Sequence, residues 1–109
     1  MKYRSPRYSL ARAQRLVRTS KYIETKTSTR WLRAHGYDPG IAKRLILSLA
    51  EDEYMESLPP KHEQGLWADV YRCDYEDDEI GGRFYVKFVI TDDELTLVLM
   101  SCKEWGYGW

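Results

Sequence analysis

The sequence predicts an α+β protein, with N-terminal helices packed on a mainly antiparallel C-terminal sheet. Two observations predict it. Apolar residues recur at helical spacing up to Pro59–Pro60, and after the prolines the period changes to two. Helices first and a meander of strands afterwards is an α+β layout. At 109 residues the chain reads as one domain, 1–109, large enough to bury a modest core.

The helices come in order. Ser9 is placed to cap a helix over roughly 10–20, with Leu10, Ala13, Leu16 and Val17 as its apolar stripe. "YIE" (22–24) suits a short strand. Thr27 or Ser28 caps a second helix through Trp31, Leu32 and His35, stopped at Gly36. "DPG" opens a third, with Asp38 at the N-cap, Pro39 at the first helical position and Ile41, Leu45 and Leu49 on one stripe. "SLAE" (48–51) matches a capping box, so a short acidic helix is expected through "EDEYMESL".

Strands are expected over 66–73, 83–91 and 94–102, with "YEDDEIGG" joining the first two and "TDDE" making a tight hairpin between the last two. "GLWADVY" alternates, placing Trp67, Asp69 and Tyr71 on one face and Leu66, Ala68 and Val70 on the other. Trp67 reads as core and Asp69 as a structural carboxylate, and the outward face of this strand is expected to border the site. "FYVKFVI" sets Phe84, Val86, Phe88 and Ile90 against Tyr85, Lys87 and Val89. Tyr85 then reads either as a site phenol or as one half of a cross-strand pair with Tyr71.

Charge divides the chain. Residues 1–49 hold twelve Lys/Arg against two acids, and residues 50–109 hold five against fifteen. The asymmetry suits either a polyanion-binding face or two halves that complement each other in the fold. Arg12, Arg15 and Arg18 share one face of the first helix and are candidates for RNA phosphate contacts, as is Lys87. No stretch is apolar and long enough for a membrane span, and the N-terminus has no apolar signal-peptide core, so a cytoplasmic protein is expected. Cys73 and Cys102 read as free thiols, and no Cys/His spacing suggests a metal. A Gly-rich phosphate loop and a nucleophile elbow are also missing. Tyr, Lys and Asp on a sheet beside Arg-rich helices suit a metal-independent ribonuclease, because RNA supplies its own nucleophile, the 2′-hydroxyl.

Five stretches in order resemble the MqsR-type toxins of bacterial toxin–antitoxin pairs: "KYRSPRYSLARAQRLV", "LILSLAEDEYMESL", "LWADVYR", "FYVKFVITDDELTLV" and "SCKEW". The resemblance implies a RelE-like fold and an endoribonuclease that cuts mRNA, inhibits translation and growth, uses no cofactor and is neutralised by a cognate antitoxin. Antitoxins of this partnership commonly carry a zinc-binding region and a helix-turn-helix region. Of the four site positions the resemblance implies, two are kept here, Tyr85 in "FYVK" and Lys103 in "CKE". The family's first Lys falls at Glu56 and its Gln at Ala68. Lys61 and His62 follow the double proline close to the place of the first Lys and are candidates to complete the acid–base work. The terminal "WGYGW" suits either base stacking or packing. Two other classes remain: a catalytically silent RNA- or antitoxin-binding module of the same fold, and a DNA-binding regulator, which lacks a convincing helix-turn-helix.

Overall fold

The computed structural model describes residues 5–38, 40–61, 65–78 and 80–104. Three helices, α1 (Leu10–Arg18), α2 (Lys26–Ala34) and α3 (Ile41–Ser48), accompany a five-stranded sheet. Its strands are β1 (Tyr22–Glu24), β2 (Tyr54–Leu58), β3 (Ala68–Glu76), β4 (Gly81–Ile90) and β5 (Leu97–Glu104). They lie in the order β1-β5-β4-β3-β2. β1 runs parallel to β5 and the other neighbours are antiparallel. This is the α+β architecture expected.

One face of the sheet carries the core. Leu10, Ala13, Leu16 and Val17 of α1 and Ile41, Leu45 and Ile46 of α3 pack with Tyr71, Phe84, Val86, Phe88, Leu97 and Leu99. Tyr71 stacks on Phe88 with ring centroids 5.8 Å apart, and Tyr54 meets Tyr71 edge-on at 5.7 Å. Both cysteines are free and buried among these groups.

Ser9 caps α1 as expected, its hydroxyl accepting from the Arg12 amide at 3.2 Å. Three helix boundaries differ. Thr25, not Thr27 or Ser28, caps α2, accepting from the Ser28 amide at 3.3 Å. α3 starts after Gly40, with Asp38 in the lead-in turn and bound to Arg44 at 3.1 Å, while Pro39 lies outside the described residues. Ser48 caps nothing, because its hydroxyl turns back to the Leu45 carbonyl at 2.8 Å.

The acidic helix is also corrected. Only Glu51–Glu53 turn, as one 3-10 turn, and Tyr54–Leu58 form edge strand β2. The physical reason is a β-bulge. Tyr54 faces Tyr71 and Glu56 faces Val70, so Met55 is an extra residue. The bulge turns Tyr54 and Ser57 both inward, three residues apart, which imitates helical spacing. The Tyr54 and Ser57 hydroxyls are 2.7 Å apart.

The β4–β5 connection is longer than a tight "TDDE" hairpin. The Thr91 amide donates to the Thr96 carbonyl at 2.9 Å, and β5 begins at Leu97. The alternative reading of Tyr85, as a cross-strand partner of Tyr71, is overturned. Tyr71 faces Val86 and is fully buried, whereas Tyr85 faces Arg72 on the opposite side of the sheet.

Candidate functional site

The candidate site lies on the second face of the sheet. Register fixes what it presents. Glu56, Val70, Lys87 and Ser101 lie on one line across four strands, and Arg72, Tyr85 and Lys103 lie on the next. Lys87 and Lys103 are therefore diagonal neighbours on β4 and β5, with backbones about 7–8 Å apart.

A second bulge makes this arrangement possible. Lys87 faces Ser101 and Phe88 faces Leu99, so Met100 is an extra residue on β5. Leu97 and Leu99 point into the core, and with strict alternation residues 101 and 103 would follow them inward. The added residue sends Cys102 inward instead and turns Ser101 and Lys103 to the open face. Thr25 secures the bulge. Its amide donates to the Leu99 carbonyl at 3.0 Å, and its hydroxyl donates to the Met100 carbonyl at 3.1 Å. Because Thr25 is also the cap of α2, the bond that ties off the bulge brings the N-terminus of α2 to the same place.

A cavity of about 490 Å³ opens there. Its lining includes Lys61, Lys87 and Lys103, the hydroxyl residues Thr25, Thr27 and Ser101, and an apolar side made by Pro59, Pro60, Leu66, Ala68 and Val89. Lys61 reaches it from the segment after the double proline. Burial, reinforced by the charges of Lys61 and Lys103, pushes the Lys87 ammonium below its usual range. Three cations converging on a partly dry cavity are poised for an anion, and the positive end of α2 at its rim adds to the same field.

The structure thus brings together Lys61, Lys87 and Lys103, with Tyr85 directly across from Lys103 on the neighbouring strand. His62 lies outside the described residues, as does the "WGYGW" tail. Arg12, Arg15 and Arg18 are not part of this cluster. α1 packs on the core face, so its exposed arginines stand on the other side of the sheet from Lys87, where Arg12 lies 3.9 Å from Glu94. A basic face nearer the cavity belongs to α2, whose exposed Lys26, Arg30 and Arg33 recur at helical spacing. The sequence signal for that face was available in the Lys/Arg spacing of 26–33. Its closeness to the cavity depends on the contact between Thr25 and β5.

Asp69 and Trp67 serve the other side. Asp69 is fully buried on the core face, so the side of β3 that borders the cavity is the Ala68 side. The Asp69 carboxylate accepts from the Arg7 amide at 2.9 Å, the Tyr8 amide at 3.0 Å and the Ser57 hydroxyl at 2.5 Å. It is the structural carboxylate expected. Trp67 is only partly buried, with the Arg7 guanidinium 6.0 Å from its ring centre and its carbonyl accepting from Tyr8 Oη at 2.6 Å.

Burial pushes the Cys73 thiol up to about 11 and the Cys102 thiol up to about 12, so neither is a thiolate at neutral pH. Among the described residues no cluster of three His, Cys, Asp or Glu side chains could hold a metal ion. Among them, too, no helix is long and apolar enough to cross a membrane.

Residues 5–104 match the sequence model of one family, described as motility quorum-sensing regulator, toxin of MqsA. No curated protein matches the chain.

Proposed function

The chain belongs to the MqsR toxin family and is a toxin of a toxin–antitoxin system, and from that premise we propose that it is an endoribonuclease whose active site is the three-lysine cavity. The observation that carries the reading is the convergence of Lys61, Lys87 and Lys103 on one cavity with Tyr85 alongside. The substrate is single-stranded mRNA in the cytoplasm, and a cognate antitoxin, of the zinc-binding and helix-turn-helix kind, holds the toxin inactive.

The RNA 2′-hydroxyl attacks the adjacent phosphorus. An amine takes its proton, and a second donor protonates the departing 5′-oxygen. Lys87 is the amine best suited to take a proton, because its environment favours the neutral form. Lys103 and Tyr85 stabilise the charge that builds on the phosphoryl oxygens, the lysine by its charge and the phenol by donating a hydrogen bond. Lys61 stands at the cavity mouth as the proton donor, with His62 beside it in sequence as the alternative donor. RNA approaching the cavity meets Lys26, Arg30 and Arg33 of α2, while Arg12, Arg15 and Arg18 take more distant phosphates.

A second reading, a silent RNA- or antitoxin-binding module, is favoured by Glu56 and Ala68. Glu56 puts an acid on the same line as Lys87, and Ala68 brings no functional group to the cavity wall. Induced expression without a partner separates the two. The enzyme reading expects growth arrest and shortened transcripts, both relieved by Lys103→Met. Normal growth with intact RNA at high soluble expression would replace it with the binding module.

A further inference from the structure

The lysines occupy only part of the cavity. The remainder is apolar: Ala68 of β3 and Val89 of β4 are buried on adjacent strands, and Leu66 and Pro60 line the wall beside them. Ser101 and Thr27 put hydroxyls on the same lining. A bare phosphate has no use for such a surface. An aliphatic slot next to converging cations suits a single nucleotide, a flat base whose faces pack on apolar surface joined to an anionic phosphate. At about 490 Å³ the cavity lies within the usual size of small-ligand sites, roughly 300–1,000 Å³.

We propose that this slot takes one nucleobase of the RNA, that of a nucleotide flanking the phosphate held by Lys103 and Tyr85, and that Ala68 is the residue that keeps it open. The proposal rests on the ribonuclease reading of the same cavity and adds to it the origin of sequence preference. Ala68 has the smallest side chain among these four, and it stands on the strand next to Lys87. A larger side chain there fills the slot from beneath. Val89 and Leu66 contact the faces of the base, and the Ser101 and Thr27 hydroxyls are placed to meet its polar edge. The slot thus excludes water from one side of the reacting phosphate while selecting the base attached to it.

The test uses the full chain and a short RNA carrying 2′-fluoro groups, which cannot attack the phosphorus. Binding is measured by fluorescence anisotropy while an abasic residue is moved along the strand one position at a time. One position should stand out, with removal of its base weakening binding about 5- to 100-fold, the range of a single well-held base. In Ala68→Leu that sensitivity should vanish. The scan on the unaltered protein decides the matter even where Ala68→Leu fails to fold. Uniform changes of less than about twofold at every position would overturn the slot, as would a position effect that survives unchanged in a folded Ala68→Leu. Cleavage of the matching unmodified RNA separates this from the chemistry. Cutting with no base dependence removes the slot alone, base dependence without cutting removes the nuclease alone, and failure to bind RNA removes both.

Discussion

Removing the Asp69 carboxylate should unfasten the N-terminal segment from the sheet. Asp69 is fully buried and collects three hydrogen bonds, from the amides of Arg7 and Tyr8 and from the Ser57 hydroxyl. Hydrogen bonds to a charged group contribute about 1.5–3 kcal/mol each, and a buried donor left unmatched costs about 1–3 kcal/mol. Arg7 is exposed and Tyr8 half-buried, so their amides can turn to water once released, whereas the buried Ser57 hydroxyl keeps only its contact with Tyr54 Oη. Asp69→Ala should therefore cost about 3–5 kcal/mol in urea unfolding, less than the simple sum of three bonds. Asp69→Asn keeps the shape and can keep the oxygen that serves Arg7 and Ser57. It sets an NH₂ group against the Tyr8 amide and should cost about 2 kcal/mol. Amide hydrogen exchange at Arg7 and Tyr8 should speed up in both variants. A loss below about 1 kcal/mol in Asp69→Ala would refute the role of this carboxylate as the anchor of the N-terminal segment.

Tyr71→Phe should leave stability unchanged or raise it by up to about 1 kcal/mol in the same assay, because its hydroxyl is buried with no hydrogen-bond partner among the described residues. Lys87 sits below its ordinary range, so the unfolded chain holds that proton more tightly, and stability should rise with pH in the alkaline window between the folded value and about 10.4. Lys87→Met should abolish that slope and leave the melting temperature unchanged or higher at neutral pH, while slowing RNA cleavage about 100-fold; a lower melting temperature would contradict the burial argument. Arg30→Gln with Arg33→Gln should flatten the salt dependence of affinity for a short RNA that spans only the cavity, whereas Arg12, Arg15 and Arg18 all changed to Gln should flatten it only for a longer RNA that reaches across to α1. The logarithmic slope should fall by about 0.7 for each phosphate that is no longer neutralised.

The fold class followed from the change of period read at Pro59–Pro60; in the structure the last α-helix ends at Ser48 and strand β2 already precedes the prolines. What local pattern did not reveal has one recurrent cause, the β-bulge. At Met55 an extra residue turned Tyr54 and Ser57 inward together, so that β2 lacks simple alternation, and the "SLAE" capping pattern before it read as a helix start. At Met100 an extra residue reversed the parity of β5, which is what brings Lys103 to the face of Lys87. A bulge leaves no composition signal, because the inserted residue is an ordinary one. Alternation in "FYVK" was enough to put Tyr85 and Lys87 together, since no bulge intervenes between them. The approach of Lys61 and Thr25 was not legible. Thr25 meets Met100 across 75 positions of sequence, and no local pattern encodes such a contact. For α1 the amphipathic stripe was read correctly, but which side of the sheet its arginines occupy depends on how the helix docks, not on its own periodicity. Asp69 was legible as a structural carboxylate by its residue type and strand, and its partners at Arg7 and Tyr8 were not.

The cavity lysines and Tyr85, in the proposed mechanism, let the RNA 2′-hydroxyl act as the nucleophile. Mass spectrometry of the products from a short synthetic RNA, cut in the presence of EDTA, tests this most directly. The expected products are a 2′,3′-cyclic phosphate on one fragment and a 5′-hydroxyl on the other. Cleavage should also slow about 30- to 1000-fold in Tyr85→Phe, the equivalent of roughly 2–4 kcal/mol of lost transition-state stabilisation. A 3′-hydroxyl with a 5′-phosphate, or cleavage that stops in EDTA, would contradict the mechanism.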